Sequence, residues 1–161
     1  GQRLAHEPTR MDPVLGVTAY LEPDIPATIP PTAVRVPSQL RSPHAAVEAF
    51  RARCPHVPVI GFPKGAGAKL PAYARETGVQ AVGVDETVEA LWAARELPAG
   101  MPVQGNLDPL LLIAGGEALD GAADRILRAF ADRPHVFNLG HGIDQHTPIA
   151  HVERLIARVR G

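Results

Sequence analysis

The hydrophobic and polar positions of this chain follow two patterns, and the change between them falls near residue 44. From there to the end, short apolar runs alternate with stretches whose apolar residues recur at helical spacing. The apolar runs, each bounded by Pro, Gly or polar residues, predict buried parallel strands at 57–62, 79–85, 101–107 and 135–143. The stretches at helical spacing predict helices at 44–54, 69–78, 87–97, 119–133 and 147–160.

Residues at the ends of these segments are typical of helix caps. Gly78 stands where a left-handed residue commonly closes a helix. Asp108, directly before a proline, is a natural helix start. Thr147 is predicted to cap the last helix, with Pro148 at its first position and Gly161 just past its end.

Strand and helix alternate four times through short connections, which predicts an α/β fold with parallel strands. Two architectures fit this order: a small doubly wound sheet, or the C-terminal half of a (β/α)₈ barrel with about four strand–helix units. Barrels bind ligands at the C-terminal ends of their strands, and here each predicted strand ends in Gly or polar residues. A half barrel would leave strand edges open, which predicts aggregation of an isolated chain.

Residues 1–43 show no such alternation, and they carry eight of the 17 prolines. Each proline removes a backbone donor and disfavours helix at the residue before it. We therefore predict an irregular, poorly structured segment at 1–43, with 14–21 as its one candidate strand or short helix. The α/β unit occupies 44–161.

Composition narrows the classes of function. A net charge of −1 and a pI near 6.7 provide no field that would attract nucleic acid or an anionic membrane surface. No apolar stretch reaches the roughly 18 residues of a spanning helix, and the N-terminus lacks the apolar core of a secretory signal. A single cysteine, Cys54, suits a reducing compartment. We expect a cytoplasmic protein that binds neither nucleic acid nor membrane.

The segment 137–152, FNLGHGIDQHTPIAHV, is the most informative for chemistry. Two glycines flank His141 directly after a strand, which leaves its imidazole accessible to bind a carboxylate or exchange protons near neutral pH. A structural histidine in a tight loop is the alternative. His146 and His151 follow at five-residue intervals, but this is not the ligand spacing of a zinc site, and we expect no metal.

Other polar residues have simpler interpretations. The Gly- and Lys-rich stretch 61–69 is not a phosphate-binding loop, because Leu70 stands where a Ser or Thr would follow the lysine. Asp85, at a strand end, fits either a cap or the lining of a cleft. Five arginines are predicted to be solvated on outer helical faces: Arg125, Arg128, Arg154, Arg158 and Arg160.

Four motifs give the chain a family likeness: PVIGFPKG, GVQAVGVDET, VQGNLDP and the 137–152 segment. In order and spacing, residues 44–161 resemble the last four strands of the uroporphyrinogen decarboxylase family, for which NLGHG and QGNLDP are specific. The resemblance implies a (β/α)₈ barrel that acts as a homodimer. It also implies cofactor-free removal of the carboxyl groups of four acetate side chains, converting uroporphyrinogen III to coproporphyrinogen III in haem biosynthesis.

The resemblance assigns few site residues to this chain. His141 matches the family's histidine that contacts a substrate carboxylate, and Phe62, Asp85 and Asn106 match strand-end positions that we expect to line the cleft. The family's RQAGRY arginines, its FSDI aspartate, its mid-chain tyrosine and its F-[DE]-S-x-A-G serine have no counterpart. We therefore expect a fragment without catalytic residues that is inactive alone.

Two other functions fit the sequence. A non-catalytic half barrel could bind or complement a partner subunit, because exposed strand edges favour such pairing. A relative of the cobalamin-pathway methyltransferases would need a zinc site, and one cysteine without ligand-like spacing argues against it.

Overall fold

The computed structural model describes residues 14–15 and 43–161, which contain five strands and six α-helices. The strands are β1 (Val14–Leu15), β2 (Ile60–Gly61), β3 (Ala81–Gly83), β4 (Val103–Leu107) and β5 (His135–Leu139). The helices are α1 (Pro43–Arg53), α2 (Leu70–Glu76), α3 (Ala90–Glu96), α4 (Pro109–Ala114), α5 (Gly116–Ala129) and α6 (Ile149–Arg160). A 3₁₀ turn, Gly67–Lys69, leads into α2.

The five described strands form one parallel sheet in the order β1-β5-β4-β3-β2. From β2 to β5, neighbours along the chain are neighbours in the sheet, and each is followed by at least one helix. This is the arrangement found in half of a (β/α)₈ barrel, and it confirms the predicted fold class. In the described part of the chain, β1 and β2 are the two edges of the sheet.

The core lies between the sheet and its helices. Val82, Val103 and Phe137 are almost fully buried, and they pack with Leu119 and Phe130 of the α5 region. Burying each such side chain contributes roughly 1.5–3 kcal/mol. By contrast, Gln104, one residue further along β4, is only partly buried. Because successive strand residues point to opposite faces, the helix layer covers one face of the described sheet more completely than the other.

Helix boundaries follow local capping chemistry in most places. Asp108 begins α4, as predicted for a helix start, and its carboxylate accepts a hydrogen bond from Leu110 N at 2.8 Å. The α4 helix itself was not predicted; Gly115, at φ 68°, separates it from α5, which begins three residues before the predicted start. Gly78 follows α2 at φ 78°, as expected for a left-handed cap. The predicted Thr147 cap is wrong, because α6 begins after Pro148 without a side-chain cap.

Helices α5 and α6 are joined by two ion pairs that the sequence analysis interpreted as solvated charge. Arg154 donates two hydrogen bonds to Asp120, at 2.9 and 2.6 Å, and Arg158 donates two to Asp124, at 2.8 and 2.5 Å. These hydrogen bonds hold the pKa of each aspartate below its ordinary value. Both partners of each pair are four residues from those of the other, so the two pairs lie one turn apart along the contact between α5 and α6.

Most of the predicted Pro-rich segment, 1–43, lies outside the described residues. Of the candidate strand at 14–21, Val14–Leu15 is described, and it pairs in parallel with β5. The division of the chain into 1–43 and 44–161 stays a prediction.

Candidate functional site

A cavity of about 500 Å³ opens at the C-terminal ends of the strands. Most of its lining is apolar, including Phe62 after β2, Leu112 of α4 and Leu155 of α6. Such a surface suits the flat, hydrophobic part of a ligand, while a few polar groups fix its orientation. The polar side chains that line it are Gln104, Asn138 and His141.

His141 lies in the loop that follows β5, and its exposed ring forms part of the cavity wall. In the described part of the chain, the ring is exposed and has no hydrogen-bond partner, so it is available to a ligand. The loop is held in place just before it, where Gly140 N donates to Leu107 O at 2.8 Å. The structure thus places the predicted substrate-binding histidine on a cavity, although the binding itself stays a prediction.

Phe62 lines the same cavity. It follows β2, whereas His141 follows β5, three strands away in the sheet. Its ring packs against the backbone of Gly83 in the neighbouring strand, where an added Cβ would lie 2.7 Å from Phe62 Cδ2. Half of the side chain remains exposed. The residue therefore presents an apolar surface to the cavity, and its role in shaping a substrate cleft stays a prediction.

Asp85 is buried behind the cavity, with 3% of its surface exposed. Its carboxylate accepts hydrogen bonds from Gly65 N at 2.6 Å, from Thr87 N at 2.9 Å and from the Thr87 hydroxyl. Burial by itself would raise the pKa of Asp85, but these hydrogen bonds and the charge of Lys64 bring it below its ordinary value. The side chain is therefore an ionised acceptor that joins two loops, and it does not line this cavity.

Asn106 is also buried, and its amide group serves the neighbouring loop. Asn106 Nδ2 donates to Asp85 O at 3.1 Å and to Val88 O at 2.6 Å. Its Oδ1 has no partner among the described residues. The structure therefore brings Phe62 and His141 together on the cavity and places the other two predicted residues behind it, and their cleft-lining role in a complete barrel stays a prediction.

His135, which the sequence analysis did not single out, is the most buried histidine of the described chain. Its Nε2 lies 2.7 Å from Gly105 O, and because a carbonyl only accepts, Nε2 is the nitrogen that carries the proton. The ring packs between Phe130 and Phe137, with centroids at 4.8 and 5.8 Å. Burial lowers the pKa of His135, although the hydrogen bond to Gly105 opposes the shift. His135 stands two residues before Phe137 on β5, so both side chains point to the same face of the strand; this spacing could have predicted that His135 is buried.

The other histidines of the 137–152 segment do not converge on one point. His146 Nδ1 lies 2.9 Å from Asp144 Oδ1, and His151 Nδ1 lies 3.0 Å from Leu112 O. Across residues 14–15 and 43–161, no three His, Cys, Asp or Glu side chains are grouped as metal ligands would be. No helix in these same ranges combines the length and apolar composition needed to cross a bilayer.

Parallel strands, intervening helices and a cavity at the strands' C-terminal ends place the chain in the class of α/β proteins built as half of a (β/α)₈ barrel. Sequence comparison makes the assignment more specific. The family profile described as uroporphyrinogen decarboxylase (URO-D) matches residues 40–161. The chain belongs to the uroporphyrinogen decarboxylase family, which confirms the resemblance found in its motifs.

Individual relatives agree with the family assignment. The uroporphyrinogen decarboxylase of Novosphingobium aromaticivorans is 74% identical over 113 residues, which cover 70% of this chain and 33% of that protein. Those of Rhizorhabdus wittichii and Sphingopyxis alaskensis are 72% and 67% identical over 115 residues, covering 71% of this chain and 33% and 34% of their own lengths. The chain thus spans about a third of the length of these curated relatives.

Proposed function

We propose that this chain forms the C-terminal part of the substrate cavity of a uroporphyrinogen decarboxylase, and that His141 binds a carboxylate of uroporphyrinogen III. The observation that supports this most directly is the His141 ring, which lines a largely apolar cavity and has no partner in the described part of the chain. The substrate pairs an apolar macrocycle with carboxylate side chains. An apolar wall with one imidazole donor complements both features.

The proposed reaction needs no metal or organic cofactor. Protonation of a pyrrole carbon makes the substrate an electron sink, and the electrons of the breaking carbon–carbon bond flow into it as carbon dioxide leaves. The resulting exocyclic methylene carbon then takes up a proton and the pyrrole carbon releases one, which gives the methyl group. In this scheme, Phe62 and the aliphatic wall exclude water from the macrocycle, while His141 orients a carboxylate. We assign no catalytic acid or base to the described residues. We also propose the family's homodimer and a cytoplasmic location for the complete protein.

A second function is favoured by the open side of the sheet. Among the described strands, β2 is an edge, and both Ile60 and Phe62 leave half of their surface exposed. An unpaired strand edge beside exposed apolar side chains is a surface on which further strands can add. The chain would then act as a non-catalytic half barrel that complements a partner carrying the remaining strands. Co-purification of such a partner at a fixed ratio would favour this function.

Binding of a porphyrin that carries carboxylate side chains provides the test. Uroporphyrin III, the fluorescent oxidised form of the substrate, is titrated into the purified chain and into its His141→Ala and His146→Ala variants. Loss of a hydrogen bond to a charged group predicts about tenfold or greater weakening for His141→Ala. The control replaces an exposed histidine five residues away that does not line the cavity, so its affinity should match the parent chain. Equal affinities for the two variants would refute the role of His141.

Turnover is measured separately under anaerobic conditions, by following the conversion of uroporphyrinogen III to coproporphyrinogen III. Because the arginine- and aspartate-bearing motifs of the family have no counterpart in this sequence, we expect the isolated chain to bind without turnover. Turnover that His141→Ala abolishes would instead mean that the chain assembles a working site by itself. Absence of porphyrin binding by folded protein would overturn the proposed function.

A further inference from the structure

Phe62 forms one wall of the cavity and His141 forms another, and both walls contact one short segment at the end of β3, residues 83–87. The segment begins inside the sheet at Gly83, and it ends at Thr87, before α3. It contains Asp85 and Glu86, of which neither lines the cavity. Its importance follows from what packs on its backbone and what bonds to its side chains.

The Phe62 wall meets this segment at Gly83. The ring and the glycine backbone pack without space for a further atom, since a Cβ at Gly83 would approach Phe62 Cδ2 to 2.7 Å and Phe62 Cβ to 3.3 Å. With half of its side chain exposed, Phe62 is not held by burial alone. The position of its ring therefore depends on the loop that follows it, at 63–66.

The His141 wall meets the same segment two residues later. A Cβ at Gly140 would lie 2.1 Å from Glu86 N and 2.8 Å from Asp85 C, so the two backbones are in direct contact. Gly140 is also held to β4 by its hydrogen bond to Leu107 O. His141 is the next residue, and its place on the cavity follows from this contact.

Asp85 is the side chain that ties the 63–66 loop to the segment. One carboxylate oxygen accepts from Gly65 N across 20 residues of sequence, and the other accepts from the backbone and side chain of Thr87. Lys64 and Glu86 link the same two loops at 3.6 Å, but such a partly exposed pair is weak. The carboxylate of Asp85 is therefore the main polar link between the Phe62 loop and the backbone on which Gly140 rests.

We infer that Asp85 is a positioning residue, which sets the separation of the Phe62 and His141 walls by anchoring the 63–66 loop. The expected effect of Asp85 on substrate binding rests on the proposed function. The anchoring of the 63–66 loop by Asp85 does not, because it concerns contacts within the chain. The ligand class is a carboxylate-bearing tetrapyrrole. Its ring system would lie on Phe62 while a carboxylate reaches His141.

The test uses Asp85→Asn, which keeps the size of the side chain and removes one acceptor. Whichever way the amide turns, it cannot accept from both Gly65 and Thr87, because one of its two terminal atoms is a donor. Asp108→Asn is the matched control. It changes the same residue type at the end of β4, where asparagine caps a helix as well as aspartate.

The first measurement is hydrogen exchange at the Gly65 amide in the chain without ligand. For this measurement Asp85→Ala is used, because it removes both acceptor oxygens; it should raise the exchange rate of the Gly65 amide by about tenfold or more, while Asp108→Ala leaves it unchanged. An unchanged rate in Asp85→Ala would overturn the inference, whatever the chain binds. If this result holds but the parent chain does not bind uroporphyrin III, the proposed function fails and the positioning of the walls stands.

The second measurement is a double-mutant cycle with uroporphyrin III as the probe. Asp85→Asn should weaken binding by about tenfold, Asp108→Asn should not, and Asp85→Asn should add little in a Phe62→Ala background. Such non-additivity is expected only if Asp85 acts through Phe62. Independent, additive losses would show a general structural role and would refute the inference.

Discussion

Replacement of Gly140 by alanine tests whether close backbone contact, rather than loop flexibility, places His141. The two glycines that flank this histidine are equivalent in the sequence, but their surroundings differ. A Cβ at Gly140 would lie 2.1 Å from Glu86 N and 2.7 Å from Glu86 Cα, whereas a Cβ at Gly142 would meet nothing within 4 Å. Neither glycine has a positive φ, so alanine is compatible with the local backbone conformation at both positions.

The magnitude follows from which atoms are contacted. Favourable contacts between heavy atoms begin at roughly 3.5 Å, and the atoms that an alanine at 140 would meet belong to backbone that cannot rotate away. Overpacking of this kind costs about 3 kcal/mol or more of the free energy of unfolding. Alanine at 142 should change stability little or raise it by about 0.4–1 kcal/mol, because it restricts the unfolded chain.

Urea denaturation of the two variants measures the difference. With a slope of about 2 kcal/mol per M, Gly140→Ala lowers the midpoint by about 1.5 M, while Gly142→Ala leaves it unchanged or slightly higher. Uroporphyrin III binding should fall in Gly140→Ala, because the shifted loop moves His141. Equal midpoints for the two variants would show that the contact with Glu86 does not constrain the loop.

Two further predictions concern titration. Burial lowers the pKa of His135, so between the folded and unfolded pKa values only the unfolded chain binds a proton at this residue. The contribution of neutral His135 to the free energy of unfolding is therefore complete above about pH 6.5 and is lost as pH falls toward the folded pKa. Urea midpoints between pH 5 and 8 should show this slope, and His135→Gln should flatten it; a slope unchanged in the variant would contradict the assignment. In Arg158→Gln, NMR titration should show the pKa of Asp124 rising toward the ordinary value of an aspartate. Arg160→Gln, which removes a guanidinium with no carboxylate partner in the described part of the chain, should leave it unchanged. The contribution of the pair to stability is present above the ordinary pKa of an aspartate and disappears as pH falls through the folded pKa of Asp124, so a flat response to Arg158→Gln would rule out the pairing.

Part of the site was predictable because its signals are local. The glycines beside His141 and the motif that contains them stand in one short stretch, and the loop position follows from the end of β5. Phe62 likewise follows a predicted strand directly. The partners of Asp85 were not predictable, because Gly65 lies 20 residues earlier and reaches it only after β2 and β3 have paired.

The sequence by itself determined the alternation of strands and helices from β2 to α6, apart from the short helix α4, and with it the fold class. Periodicity, proline and glycine act over a few residues, so they are present in the chain before any tertiary contact forms. The helix end at Gly78 and the helix start at Asp108 are of this kind, since each depends on backbone preference or on a hydrogen bond within two residues.

Only the tertiary structure decided which of these pieces meet. The pairing of Arg154 with Asp120 spans 34 residues, the contact of His135 with Gly105 spans 30, and both require helices and strands to be packed first. The approach of Gly140 to Glu86 arises in the same way, from loops brought together at one end of a parallel sheet. These contacts depend on the three-dimensional arrangement of distant segments, which local preferences do not specify.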